Sequence, residues 1–63
     1  MERKFRFRYW SYEKENTFNR QYHDEVITCK DGGTGVRIVD KNLEDNGFKL
    51  DYDSLSYNQI VKY

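Results

Sequence analysis

The chain has 63 residues, with eleven Lys/Arg balanced by eleven Asp/Glu, a single cysteine and no proline. This zero net charge lacks the strong basic excess of a typical duplex-DNA binder and the heavy acidity of a protein that imitates DNA phosphates. One thiol excludes an intrachain disulfide, and no apolar run is long enough for a signal peptide or a membrane span, so a reducing cytoplasm is the expected location.

Residues 4–12, KFRFRYWSY, alternate apolar and basic side chains one by one, which predicts a strand. Phe5, Phe7 and Tyr9 form the row that should face the core, and Lys4, Arg6, Arg8, Trp10 and Tyr12 form the opposite row. A bulge at Tyr9-Trp10 would return the indole to the core. EKENT, residues 13–17, is a polar break suited to a hairpin turn. FNRQYHDEVITC can be read two ways: Phe18, Tyr22, Val26 and Cys29 share a helical face, while Phe18, Arg20, Tyr22, Asp24, Val26 and Thr28 share a strand face. The β-branched ending favours a long bent strand over 17–29. KDGGTG is the strongest turn signal in the chain, and VRIVD (36–40) follows it. Together they predict a hairpin with a long Gly-rich loop.

KNLEDNG, residues 41–47, is a second polar break, with Asn46-Gly47 expected in left-handed conformations. FKLDY, residues 48–52, alternates again and places Phe48, Leu50 and Tyr52 on one face. The closing DSLSYNQIVKY is open to two readings. Asp53 or Ser54 can cap a short C-terminal helix, or Tyr57, Val61 and Tyr63 alternate as in a strand. The sum is one small domain, residues 1–63, of all-β or mainly β class. It has four or five short antiparallel strands in a twisted meander that can curl into a small barrel, with a short C-terminal helix as the variable element. Six Tyr, four Phe and one Trp supply most of the apolar bulk. The core must be built largely from rings, and burial in a homodimer or against a partner would add to it.

Few residues suggest chemistry. Gly32, Gly33 and Gly35 are spaced wrongly for either phosphate-binding fingerprint and are read as turn glycines. His23 beside Asp24 and Glu25 lacks the three or four converging ligands of a metal site and the nucleophile of a catalytic set, and is read as a surface histidine on a strand. Cys29 is read as a small buried residue beside Ile27. The acidic run DKNLEDNGFKLDYD reads as a solvated face able to meet a basic partner. Charge is unevenly spread: residues 1–20 hold six Lys/Arg and three Glu, net +3, and residues 21–63 hold five Lys/Arg and eight Asp/Glu, net −3.

The strongest binding signal is the basic-aromatic row. Bases stack on exposed Trp and Tyr while Arg and Lys hold phosphates, the chemistry of single-stranded nucleic-acid binding. Trp, Tyr and Arg also dominate protein–protein hot spots.

KFRFRYWSYEKENTF resembles the amino-terminal segment of YopX-type phage proteins, which begin with a Lys-Phe-Arg-x-Trp run followed by a polar turn. Phe7, Arg8 and Trp10 match, Arg6 stands in the Lys position, and SYEKENTF corresponds to the turn. The closing QIVKY is similar to a later strand of that family. The resemblance implies a phage or prophage origin and a β-rich fold, and it implies no reaction. Absence of Pro and Ala, with abundant Lys, Asn, Tyr, Asp and Glu, suggests an AT-rich coding sequence and points the same way.

The reading that results is a phage or prophage accessory protein of the host cytoplasm, without catalysis, cofactor, metal or membrane association. It binds a host or phage protein through Arg6, Arg8, Trp10 and Tyr12. The alternative is single-stranded nucleic-acid binding by the same row, and a homodimer or a tight partner is the expected source of additional burial.

Overall fold

The computed structural model describes residues 2–61. The strict alternation at the start of the chain yields β1 (Arg3–Glu13), and the β-branched segment after the polar break yields β2 (Arg20–Cys29). A helix α1 (Gly32–Asp45) follows, and the chain returns as β3 (Phe48–Gln59). The strands form one open antiparallel sheet in the order β2-β1-β3, with β1 in the centre. The fold is thus mainly β, with three strands among the described residues rather than four or five. It is neither a meander nor a barrel: β2 and β3 are consecutive strands, yet they occupy opposite edges of the sheet.

The departure lies in residues 32–45. Expected as a Gly-rich hairpin loop and a strand over 36–40, they form the helix. Asp31 caps it, its carboxylate oxygen accepting from the Thr34 backbone N–H at 2.8 Å. Gly35, Val39 and Leu43 are buried at four-residue spacing, one stripe of an α-helix. Gly32 and Gly35 serve close approach rather than a turn. A Cβ on Gly35 would lie 2.3 Å from Phe7 Cζ, and one on Gly32 would lie 2.1 Å from Tyr57 Cε2. Positive φ occurs only at Gly47 (φ 80°) among the described residues, where it ends the helix with its N–H donating to the Glu44 carbonyl. Asn46, expected to be left-handed as well, has φ −103°.

The core lies between the helix and one face of the sheet. Phe5, Phe7 and Tyr9 turn inward as expected, at 7%, 0% and 3% exposure, and meet Val39, Leu43, Leu50 and Cys29. Ile27, Val36, Phe48 and Leu55 pack around them. Tyr57 joins the cluster from β3, its ring 5.3 Å from Phe7 and edge-on to Phe5 at 6.2 Å. Cys29 is buried, and its thiol donates to the Asp31 carbonyl at 3.2 Å.

The closing stretch extends as strand through Gln59, so no C-terminal helix forms among the described residues. The expectation for Tyr63 lies outside them. β3 is irregular: two steps along β1, Arg8 to Trp10, face five along β3, Ser56 to Asp51. The extra residues belong to β3, so the alternation of β1 continues and Trp10 stays off the core face. Ser54 fixes this bulge by accepting from the Trp10 backbone N–H and donating to the Asp51 carbonyl, both at 2.8 Å.

The glycine geometry separates two substitutions. Gly35→Ala drives a methyl into the Phe7 ring and should cost about 1–3 kcal/mol in a denaturant melt. Gly33→Ala meets nothing nearer than the Asp31 carboxylate at 3.6 Å. It should leave stability unchanged or raise it by up to about 1 kcal/mol. Equal effects at the two positions would contradict the packing described.

Candidate functional site: the open face of the sheet

Because α1 covers one face of the sheet, the other has no layer over it. Strand alternation decides what stands there: Lys4, Arg6, Arg8 and Trp10 from β1, and Arg20, Tyr22, Asp24, Val26 and Thr28 from β2. The register sets Trp10 opposite Tyr22 and Arg8 opposite Asp24. Trp10 is 41% exposed, Tyr22 53% and Val26 54%. The Trp10 and Tyr22 rings lie 5.4 Å apart at 58°. A guanidinium sits over the indole at 5.5 Å, and it belongs to Arg20 rather than to the expected neighbour Arg8.

Two of the four cations on this face are matched within the chain. Arg6 holds Asp24 through two parallel hydrogen bonds of 2.9 and 2.7 Å. That fork keeps the Asp24 carboxyl below its ordinary range. Arg20 reaches across the central strand to Asp51 on β3 at 2.8 Å. Arg8 makes no ion pair within contact distance among the described residues.

Of the four residues singled out in the sequence, the structure therefore groups Arg6, Arg8 and Trp10 along the open face. Tyr12 ends this row of β1, directly opposite Arg20 of β2. It is half-buried at the β3 side of the sheet and lines a cavity of about 310 Å³ with Asp40, Glu44, Lys49, Leu50 and Tyr52. Tyr22 and Arg20 are site residues that the opening motif did not reveal. Their signal was the strand-period row from Phe18 to Thr28.

His23 is half-buried on the helix side of the sheet, only partly on the surface. Its ring stacks on Tyr9 at 4.7 Å and 13°, and its Nε2 is 2.9 Å from Ser11 Oγ. A Ser–His contact is the start of a nucleophilic pair. Ser11 is wholly buried, however, so no substrate carbonyl reaches its hydroxyl. Tyr9 O–H donates to Glu25 at 3.0 Å, and burial together with that carboxylate raises the phenol well above its ordinary range. These contacts bind β1 to β2 beneath the helix. No three of His, Cys, Asp and Glu converge as a metal set among the described residues.

The helix that follows the glycines does not create a phosphate cradle. Gly32 and Gly35 are closed off by Tyr57 and Phe7, and the carboxylate of Asp31 already occupies the amino end of α1. Among the described residues no helix is long and apolar enough to cross a membrane.

Compared with known proteins, the chain matches no family model, no curated protein and no solved structure.

Two outcomes follow. The carboxyls of Asp24, Asp31 and Glu44 are held low by Arg6, by the Thr34 amide and by Lys14 respectively. A lowered folded-state pKa stabilises above the unfolded value, and that stability is lost as pH falls through the folded value. The melting temperature should therefore begin to fall near about pH 4 and continue downward, and Asp24→Asn should make this acid limb shallower. The indole is also half open to solvent. Its emission should be red-shifted from that of a buried tryptophan and quenched by acrylamide, and a quencher-protected blue emission would put Trp10 in the core.

Proposed function

We propose that this is a phage- or prophage-encoded accessory protein of the host-cell cytoplasm that acts without catalysis, by binding a host or phage protein through the open face of its sheet. The observation that carries the reading is Trp10. It stands half-exposed on a rigid central strand, against Tyr22, beneath Arg20 and beside Arg8. Large rigid side chains of this kind concentrate binding energy at protein interfaces, and a strand whose opposite row is locked in a core holds them preorganised. The phage origin rests on the similarity of KFRFRYWSYEKENTF to YopX-type proteins and on the Ala- and Pro-free composition. That small phage proteins adjust host machinery is an argument from analogy.

The face suits a protein better than single-stranded nucleic acid. A strand of phosphates needs free cations along its track. Here Arg6 and Arg20 already hold carboxylates, which leaves only Lys4 and Arg8 for phosphates, and releasing the paired two would leave Asp24 and Asp51 facing them.

The test is capture from host lysate, with and without nuclease, followed by mass spectrometry. A protein retained after nuclease treatment is the expected result. Trp10→Ala should then weaken its binding by about 2 kcal/mol or more, roughly thirtyfold in Kd, while the melting curve stays close to wild type. Capture that disappears with nuclease and falls steeply with salt would move the assignment to nucleic acid.

A further inference from the structure

The open-face residues of the second strand and of the turn before it are spaced with a symmetry that the β1 row does not share. Tyr22 is 53% exposed and Val26 54% on the open face of β2, and Phe18, 94% exposed, lies four residues before Tyr22 in the turn that precedes the strand. Between them on the same face stand Arg20 and Asp24, of opposite charge. Read from Tyr22 outward, the row is Arg20 then Phe18 in one direction and Asp24 then Val26 in the other. It is the pattern of a strand that complements itself when run antiparallel.

The strand carrying this row is an edge. β2 pairs with β1 on one side only, and its other side presents ten residues of unpaired backbone without proline or glycine. The pairing of β2 with β1 is regular throughout, whereas β3 at the opposite edge is broken by its bulge. The tip before β2 is held by hydrogen bonds: Phe18 N–H donates to Asn16 Oδ1 at 3.3 Å, Asn19 N–H to the Asn16 carbonyl at 2.9 Å, and Glu13 N–H to the Asn19 carbonyl at 3.0 Å. Phe18 therefore stands outward from an ordered turn.

We propose that two copies of this chain pair edge to edge through β2, antiparallel about a two-fold axis at Tyr22, forming one six-stranded sheet. Directly opposed residues of an antiparallel pair lie on the same face. In this register Tyr22 meets Tyr22 of the second copy and Arg20 meets its Asp24, with Phe18 in the turn just beyond. Any register that centres on Asp24 or Glu25 would instead oppose like charges. Each native ion pair persists and is extended, because Arg6–Asp24 of one copy continues into Arg20–Asp51 of the other as a chain of alternating sign. The two open faces become one. This pairing stands independently of the protein-binding role proposed for that face.

Single cysteines on the edge read the register directly. Opposed Cα atoms in such a pair are about 4.5–5.5 Å apart, within disulfide reach. Under mild oxidation Tyr22→Cys should cross-link to itself. Arg20→Cys and Asp24→Cys should each stay monomeric alone, since four residues at ~3.3 Å set like positions about 13 Å apart. The two mixed together should cross-link, and this pair serves as the second readout should Tyr22→Cys fold poorly. Wild type, whose one thiol is the buried Cys29, is the blank. Sedimentation of the wild type at high micromolar concentration should give twice the monomer mass. A monomer at all concentrations, or cross-links as ready in Arg20→Cys alone as in the mixture, would overturn the proposal.

Discussion

The contact on which the rest of the molecule depends is the seating of the Phe7 ring against Gly35. Phe7 is fully buried at the centre of the central strand, and the glycine lets the helix backbone approach it more closely than any side chain would allow. Tyr57 and Gly32 repeat the arrangement one turn earlier on the helix. With so few aliphatic residues, the core fills by letting rings meet backbone. Once α1 is drawn onto this face of the sheet, the opposite face has no element left to cover it. The open surface is thus a consequence of how the core is made.

This also explains which parts of the fold were legible in the sequence. The β1 alternation is strict because one of its rows is wholly buried, and the inward Phe5, Phe7 and Tyr9 could be read without a partner strand in view. β2 was readable from its β-branched end. The segment around the glycines was not, because glycine answers two different needs, positive φ and close approach, and only the tertiary structure shows which applies. Val36, Val39 and Leu43 carry a helical spacing, but Val36, Ile38 and Val39 taken locally look like a strand. Packing against Phe7 decides between them. Sheet order was equally hidden, since nothing local to β3 states that it pairs with β1 rather than β2.

The site was legible in part for the same reason. Alternation placed Arg6, Arg8 and Trp10 on one face without reference to anything else. It could not show that Tyr12, at the end of this row, also lines a cavity with Asp40 and Glu44 of α1. It also could not say which cation covers the indole, because Arg20 belongs to a strand whose register is set by the hairpin turn. The matched charges of the open face are likewise a property of register: Asp24 and Asp51 are distant from Arg6 and Arg20 in sequence and meet them only across strands. Two of the four cations on the face are thereby neutralised, and Lys4 and Arg8 leave it basic although the chain as a whole is neutral.

The central claim is that one face of the sheet is sealed by the helix while the other stands open. Hydroxyl-radical footprinting of the native protein measures this directly, because aromatic rings are labelled in proportion to their access to solvent. The account predicts rapid labelling of Phe18, Trp10 and Tyr22, and near-complete protection of Phe5, Phe7 and Tyr9. Labelling of Phe7 or Tyr9 at the rate of Trp10, or protection of all six rings alike, would contradict it.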